Sequence, residues 1–215
     1  QRLLDAMQQA LGRLVRVVDN LSDFASLEAG QAPILDGDVD PDALAEDVVN
    51  ELRPAIKDAR LHVTVQHGGG GTVPADARKL RQAVGNLVAN AVKFSPHGGE
   101  VLVDVAREGE KLRFAVYDQG PGIRAGEAER IFEPLYHASS RGGEDARLPG
   151  SGLGLPVARR IAEAHGGSVV VESPPRTQPA SVSRHFTGSK FVLEIPVRPA
   201  DRPGAGGRPS SSAAG

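Results

Sequence analysis

Three polar residues, Asn86, Asn90 and Lys93, recur at helical spacing inside an otherwise apolar stretch. In a helix, all three side chains share one face. Carboxamide oxygens are hard ligands that suit Mg²⁺, which takes few protein ligands and keeps water and phosphate oxygens. A lysine beside them would offset phosphate charge. The cluster indicates a metal-bridged polyphosphate site, and a solvated polar face explains the same spacing equally well.

A carboxylate follows an apolar stretch that ends at Tyr117, and two glycines come directly after it. The run begins at Asp118, has Gly120 and Gly122 at alternate positions, and ends at Ile123. A carboxylate at a strand end can accept hydrogen bonds from an exocyclic amine, and glycines let a ligand ring approach the backbone closely. A generic turn uses the same residues, so this run alone is a weak signal.

A second glycine-rich run opens a segment with helical periodicity. It consists of Gly150, Ser151, Gly152, Leu153, Gly154 and Leu155. Such glycines free backbone N–H groups to face an anion at a helix N-terminus, where the dipole favours negative charge. The run lacks the lysine and hydroxyl ending of a Walker loop. It does not follow a strand in a compact βαβ unit, which argues against a Rossmann site, and a glycine-rich hinge is the alternative.

Taken in this order, the clusters resemble the motifs of the histidine kinase catalytic domain. That domain belongs to the superfamily that includes gyrase, the heat-shock chaperone and the mismatch-repair ATPases. Residues 86–94 resemble the N box, 118–123 the first glycine box, 130–136 (Arg-Ile-Phe-Glu-Pro-Leu-Tyr) the F box and 150–155 the second glycine box. The likeness extends from about residue 1 to residue 197.

The resemblance implies ATP and Mg²⁺ as cofactors, and it assigns roles to the residues of the N box and to Asp118 of the first glycine box. Asn90 would be the main Mg²⁺ ligand, with Asn86 assisting. Lys93 would meet the phosphates, Phe94 would line the nucleotide pocket, and Asp118 would hold the adenine amine.

The remaining motifs would enclose the nucleotide. Residues 137–149 would form a mobile lid anchored by Phe132 and Tyr136. Arg141 and Arg147 are candidate lid contacts to the terminal phosphate, and solvated loop arginines are the alternative. The other implied nucleotide-binding positions are Gly120, Gly122, Ile123, Tyr136, Gly150, Ser151, Gly152, Leu153, Gly154 and Leu155.

The residue four positions before Asn90 separates transfer from hydrolysis. The hydrolysing members of the superfamily resemble one another in having a glutamate there, which can activate water as a general base. Asn86 occupies that position here and cannot take a proton at neutral pH. We therefore expect Asn86 and Lys93 to serve phosphoryl transfer, which depends on positioning and charge neutralisation.

The chain lacks the phosphate acceptor that the resemblance implies, a histidine on the first helix of a dimerisation hairpin. Residues 1–28 contain no histidine, and their end resembles the second helix of that hairpin. The six histidines are His62, His67, His97, His137, His165 and His185. His165 precedes Gly166, as a residue at a helix C-terminus would. We expect the acceptor to lie upstream, and the partners to be a histidine-bearing hairpin, a response regulator receiver domain and a second copy in a homodimeric parent.

Hydrophobic periodicity predicts the elements that position these motifs. Predicted helices cover about 1–28, 42–59 after an Asp40 cap, a segment from an Asp76 cap through Ala91, and 151–164. Predicted strands lie at 34–39, 61–65, 101–105, 112–116, 169–171 and 191–195, with a loop at 174–188. Short turns between consecutive strands favour an α+β fold, an antiparallel-rich two-layer sandwich, over a parallel sheet. The resemblance implies the same Bergerat-type sandwich, preceded by one long helix.

Composition narrows the functional class. The 215 residues carry a formal net charge of -2 and no cysteine, which gives no case for nucleic-acid binding and excludes disulfides and thiolate chemistry. No apolar run approaches the roughly 20 residues of a membrane span. We expect a cytoplasmic location, with any inner-membrane anchor in a longer parent protein.

The sequence predicts three regions of the chain and leaves three hypotheses for its function. We expect a partial dimerisation helix at 1–30, an ATP-binding catalytic domain at 31–197 and a disordered tail at 198–215. The leading hypothesis is the catalytic portion of a two-component histidine kinase. The alternatives are a non-catalytic nucleotide-binding scaffold and a metal-dependent ATPase, which Asn86 argues against.

Overall fold

The computed structural model describes most of the predicted ATP-binding domain. The described residues are 21–22, 24–26, 34, 37–136, 151–179 and 185–197. The predicted lid at 137–149, Gly150 and the predicted tail from residue 198 lie outside them, as does most of the predicted first helix. Residues 21–22 and 24–26, the part of the predicted first helix that is described, are helical, and Phe24 packs against the core of the domain.

Four helices and seven strands make up the described domain. The helices are α1 (Pro41–Glu51), α2 (Arg53–Asp58), α3 (Ala77–Phe94) and α4 (Gly154–Ala164), with a short 3-10 helix at Arg130–Phe132. The strands are β1 (Gly37–Val39), β2 (His62–Gln66), β3 (Val73–Ala75), β4 (Glu100–Glu108), β5 (Lys111–Tyr117), β6 (Ser168–Glu172) and β7 (Lys190–Pro196).

Five strands form one mixed sheet in the order β2-β4-β5-β7-β6. Only the β2–β4 pair is parallel, and the other pairs are antiparallel. β1 and β3 form a separate antiparallel pair. The prediction of an antiparallel-rich α+β sandwich is therefore confirmed.

The helices cover one face of the sheet. The predicted stripe of α3 is buried, and its buried apolar residues are Leu80, Ala83, Val84, Leu87, Val88, Ala91 and Val92. They pack in one cluster with inward-facing sheet residues such as Val103, Phe114 and Leu193. Because one face of α3 is buried in this core, the polar face of the helix is held away from the core.

A second, smaller apolar cluster lies on the other face of the sheet. Leu102, Ala115 and Tyr117 project there and are covered by Phe186 from the β6–β7 connection. The Gln178 side chain holds Phe186 by both backbone groups, donating to its carbonyl and accepting from its N–H at 2.9 Å each. The described part of the predicted 174–188 loop is thus a strap packed on the sheet.

Both predicted helix caps are confirmed. The Asp40 carboxylate accepts hydrogen bonds from the N–H groups of Asp42 and Ala43, and Pro41 occupies the first turn of α1. The Asp76 carboxylate accepts from the N–H of Lys79 at 3.0 Å. A cap carboxylate satisfies N–H groups that have no partner within the helix.

Several predicted boundaries are wrong. The single helix predicted over 42–59 is two helices that meet at Leu52, because Pro54 lacks an N–H and its ring crowds the preceding turn. The helix predicted from residue 151 begins at Gly154. Of the strand predicted at 34–39, Ile34 is not in a strand, residues 37–39 form β1, and residues 35–36 lie outside the described residues. β3 was not predicted because it is three residues long and contains a proline.

Candidate functional site

The polar face of α3 carries the first part of the site. Asn86, Asn90 and Lys93 are each partly buried, on the side of the helix opposite its apolar stripe. The Asn86 Nδ2 atom is buried and has no hydrogen-bond partner. A carboxamide that turns over can present either its oxygen to a cation or its N–H groups to a phosphate. An unpartnered buried amide is costly, so this one marks a place where a ligand atom fits.

The cation and the aromatic ring at the end of α3 are neighbours. Burial lowers the pKa of Lys93 from its ordinary value. Its Nζ atom lies 4.7 Å from the centroid of the Phe94 ring, and Phe94 keeps 43% of its surface exposed. An exposed phenyl ring beside a partly desolvated ammonium is a surface on which a flat, anionic ligand can be held.

Asp118 is a buried carboxylate at the end of β5. Its Oδ1 atom accepts hydrogen bonds from the Gly120 N–H at 2.7 Å and the Ser189 N–H at 3.1 Å. Desolvation by burial raises its pKa to about 6, against the opposing effect of those two N–H donors. The bonds to Oδ1 orient the carboxylate and leave its second oxygen for a further donor, such as an exocyclic amine.

Glycines allow the backbone to close around Asp118. A Cβ on Gly120 would lie 2.9 Å from Asp118 Oδ1 and 3.0 Å from the Phe94 carbonyl oxygen. A Cβ on Gly188 would overlap both Asp118 Oδ1 and the Gly120 nitrogen. Gly122 has a positive φ of 72°, which favours glycine.

The first glycine box is tied to the β6–β7 connection. The Ile123 N–H donates to Ser173 Oγ at 2.8 Å, and Ser173 Oγ donates to the Gly188 carbonyl at 2.9 Å. Gln119 accepts from the Glu100 N–H and donates to the His185 carbonyl. Residues 173, 188 and 189 therefore belong to the candidate site, and no sequence motif pointed to them.

The second glycine box forms the start of α4. Ser151 Oγ accepts from the Leu153 N–H at 3.3 Å, and Gly152, with a φ of 67°, accepts from the Leu135 N–H through its carbonyl. Gly154 lies close to Asn86, with room between them for a side-chain carbon, since a Cβ placed on Gly154 would lie 3.5 Å from Asn86 Cγ. The first amides of α4 are thereby placed beside the polar face of α3, where they can meet an anion.

The F box is clamped to α4 and to its own loop. Phe132 is buried beneath Arg159, whose guanidinium lies 4.9 Å from the ring centroid. Tyr136 donates its hydroxyl hydrogen to Glu127 at 2.9 Å, and this bond raises the pKa of Tyr136. Arg130 stacks on the Tyr136 ring at 4.5 Å. Phe132 and Tyr136, the predicted lid anchors, are thus each held by neighbouring side chains, and Tyr136 is the last described residue before the predicted lid.

The structure brings the predicted motifs into contact. α3 touches the second glycine box through Asn86 and Gly154, and the first through Phe94 and Gly120. Ile123, Ser151 and Leu155 are half-buried and Leu153 is buried at the same junction of elements. Gly150, Arg141 and Arg147 lie outside the described residues, so their predicted roles remain predictions.

The donor set fits a cation carried by a polyphosphate. No group of three or more histidine, cysteine, aspartate and glutamate side chains is placed to hold a metal among residues 37–136, 151–179 and 185–197 or the few others described. Mg²⁺ bound with a nucleotide needs only one or two protein oxygens, because phosphate and water supply the others. The Asn86 and Asn90 carboxamides are suitable for that.

None of the helices in the described part of the chain is long and apolar enough to cross a membrane.

Known proteins are similar to this chain in both sequence and fold. Residues 75–199 match the family described as histidine kinase-, DNA gyrase B- and HSP90-like ATPase. The sensor-like histidine kinase SenX3 of Mycolicibacterium smegmatis is 30% identical over 200 residues, which cover 93% of this chain and 49% of that protein. The chain thus spans about half the length of this curated relative.

Two solved histidine kinases have the same architecture. Full-length ShkA, crystallised in complex with AMPPNP, matches 93% of this chain and 39% of its own with a TM-score of 0.72 and 28% identity. The histidine kinase ThkA, crystallised with the response regulator protein TrrA, matches 94% of this chain and 52% of its own with a TM-score of 0.68 and 21% identity. With the site and these matches together, the chain belongs to the histidine kinase-, DNA gyrase B- and HSP90-like ATPase family, and its relatives within that family are sensor histidine kinases.

Proposed function

We propose that this chain is the ATP-binding catalytic portion of a two-component sensor histidine kinase. It binds ATP with Mg²⁺ and transfers the γ-phosphoryl group to a histidine on a hairpin that these residues do not include. The observation that carries the proposal is the proximity of Asn86, with its buried and unpartnered Nδ2, to Gly154 at the start of α4. This arrangement puts a carboxamide near helix N-terminal amides, which together suit a polyphosphate.

The adenine end of the nucleotide is assigned to Asp118. In its ionised form, the carboxylate accepts the hydrogens of the adenine amine through Oδ2, while Gly120 and Ser189 hold Oδ1. The exposed ring of Phe94 covers one side of the ligand.

The phosphate end is assigned to the polar face of α3 and the start of α4. Asn90 and Asn86 would hold Mg²⁺ through their carboxamide oxygens, and the cation would supply positive charge to offset that of the phosphates. Lys93 lies on the same face, and burial lowers its pKa, so binding of a phosphate favours its charged form. Gly152 and Gly154 leave the amides at the start of α4 open to the anion.

Transfer rather than hydrolysis is proposed because the site lacks a base in the position that activates water. Asn86 stands there, and its carboxamide cannot accept a proton at neutral pH. The nucleophile must then be brought by another segment, the hairpin histidine, in cis or from a second subunit. A response regulator receiver domain would take the phosphoryl group next, and the complex of ThkA with TrrA supports that partner class.

The first experiment measures ATP binding by calorimetry with and without Mg²⁺. We expect binding that strengthens with Mg²⁺, and a steady rate of phosphate release near background. Asn90→Ala should remove the Mg²⁺ effect, whereas Asn50→Ala, an exposed asparagine at the end of α1, should leave it intact. Absence of ATP binding would favour a scaffold role.

The second experiment supplies the missing acceptor. A folded hairpin from a relative, carrying a histidine followed by an acidic residue, is incubated with this chain and γ-labelled ATP. We expect an acid-labile label on the hairpin that depends on both Asn90 and the acceptor histidine. Robust ATP binding with no transfer to any folded hairpin would contradict the kinase proposal and leave nucleotide binding in place.

A further inference from the structure

A buried histidine at the far end of α4 contacts the helix that carries the N box. His165 ends α4, opposite the glycine box at Gly154, and only 7% of its surface is exposed. Its backbone N–H donates to the carbonyl of Ile161 at 3.1 Å, as expected of a residue that closes a helix. Its side chain does more than close the helix.

The imidazole ring of His165 bridges the two helices. The Asp76 backbone N–H donates to Nε2 at 3.2 Å, so Nε2 must be unprotonated. Nδ1 then carries the hydrogen of the neutral ring and donates it to the Ile161 carbonyl at 2.7 Å. One ring therefore joins the last turn of α4 to the N-cap residue of α3.

The opposite ends of the same helical stretches meet at the nucleotide site. At a rise of about 1.5 Å per residue, the stretch of α3 from Asp76 to Asn86 is about 15 Å long. The stretch of α4 from His165 back to Gly154 has nearly the same length, and Gly154 lies close to Asn86, since a Cβ on it would be 3.5 Å from Asn86 Cγ. The two helices thus run antiparallel and approach each other at both ends of a matched span.

We propose that His165 is a positioning residue that fixes the axial register of α4 against α3, and through it the placement of the second glycine box beside Asn86. The expected effect on ATP binding rests on the proposed function, whereas the register of the two helices does not. The plain alternative is a helix cap, which needs only the bond from Nδ1 to Ile161. Register control needs the bond from Asp76 to Nε2 as well.

Two carboxamide variants separate these roles. Asn places its amide about where Nδ1 lies, so His165→Asn keeps the cap and loses the bridge to Asp76. Gln is one methylene longer and carries a donor and an acceptor, so His165→Gln can keep the bridge. Ile161→Val is the matched control, because it weakens packing in the same turn and leaves the backbone bonds in place.

The register is measured without nucleotide by cross-linking. The chain has no cysteine, and a Cβ on Gly154 would lie 3.7 Å from the Asn86 Cβ, close to the separation found in disulfides. The pair Asn86→Cys and Gly154→Cys should therefore oxidise readily. We expect the rate to fall several-fold when His165→Asn is added and to stay near the parent rate with His165→Gln or Ile161→Val. Equal rates in the Asn and Gln backgrounds would overturn the proposal, whatever the chain binds.

The nucleotide readout uses ATP with Mg²⁺ and adenosine on the chain with its native Asn86 and Gly154. The phosphate end depends on α4, whereas Asp118 is held by Gly120 and Ser189 and does not. We expect His165→Asn to raise the Kd for ATP by about tenfold, the effect of losing about one hydrogen bond between the phosphates and the displaced start of α4. The Kd for adenosine should change by less than about twofold. Equal losses for both ligands would indicate general destabilisation and refute the register role.

Discussion

Replacing Asp118 by asparagine should weaken ATP binding and stabilise the fold at the same time. The variant keeps a side-chain oxygen that can accept from Gly120 and Ser189, so the local backbone has no reason to move. It removes the charge that burial disfavours and replaces the second oxygen with an NH₂ donor. The two effects act on different measurements, which makes the prediction specific.

The stability change follows from the raised pKa of Asp118. Its pKa is about 6 in the folded chain against an ordinary value of 3.8, so the native state binds a proton more tightly than the unfolded state. The protonated group contributes its full stability below 3.8, and that contribution is lost as the pH rises through about 6. At about 1.36 kcal/mol per pKa unit, the ionised carboxylate costs up to about 3 kcal/mol at pH 8.

Denaturant unfolding of both proteins at pH 4 and pH 8 checks this. We expect Asp118→Asn to raise the free energy of unfolding at pH 8 by at most about 3 kcal/mol and to change it little at pH 4. Asp58→Asn is the matched control, because it makes the same substitution at an exposed carboxylate on α2, where no buried charge is removed. A gain of equal size at both pH values would refute the role assigned to desolvation.

The affinity change has the opposite sign. In the variant, an NH₂ donor faces the adenine amine, so ATP loses a charge-assisted hydrogen bond and a buried N–H is left unpaired. Together these losses weaken ATP binding by about 3 kcal/mol, or roughly 100-fold in Kd. The native chain should also bind ATP more tightly as the pH rises through about 6, since only the ionised form of Asp118 accepts from the amine. Unchanged ATP affinity in the variant, or affinity that falls over that pH range, would remove Asp118 from the adenine site.

Three further predictions test other parts of the site. Asn86→Glu should introduce a general base and raise steady phosphate release by about 10²-fold, with Asn86→Gln as the uncharged control at background. Gly188→Ala should abolish ATP binding and lower the melting temperature, because its Cβ overlaps the Asp118 carboxylate; retained binding would show that the strap can move. Asp76→Ala should cost about 1 kcal/mol of stability through the lost cap yet keep the native ratio of ATP to adenosine affinity, because the backbone N–H to His165 remains.

Helix caps and buried helix faces were predictable because the residues that determine each of them lie within one short segment of the sequence. α3 combines a capping carboxylate at Asp76 with an apolar stripe at three- and four-residue steps, and both cap and stripe are confirmed. The same periodicity ran past Leu52, where Pro54 ends one helix and allows another to begin, so the predicted helix was too long. Periodicity reports which side is buried and says little about where a helix stops.

Contacts between distant segments were not predictable from the residues alone. Ser189 donates to Asp118 across 71 positions of sequence, and Asp76 donates to His165 across 89. His165 was predicted only to be a helix-terminal residue, because nothing near it in the chain names its partner on α3. The signal that could have found Gly188 is a glycine two residues before a strand, which marks a close approach of backbone without naming its target.

The position of β7 in the sheet bears on the order in which this chain can become functional during synthesis. β7 is the last strand among the described residues, yet it pairs between β5 and β6, and the residues just before it hold Asp118. A growing chain has already released α3 and both glycine boxes while one edge of β5 is still unpaired. Because such long-range pairing forms late, a nascent chain that ends before Gly188 should be unable to bind nucleotide. The chain then becomes able to bind ATP in one step, when β7 is inserted between β5 and β6.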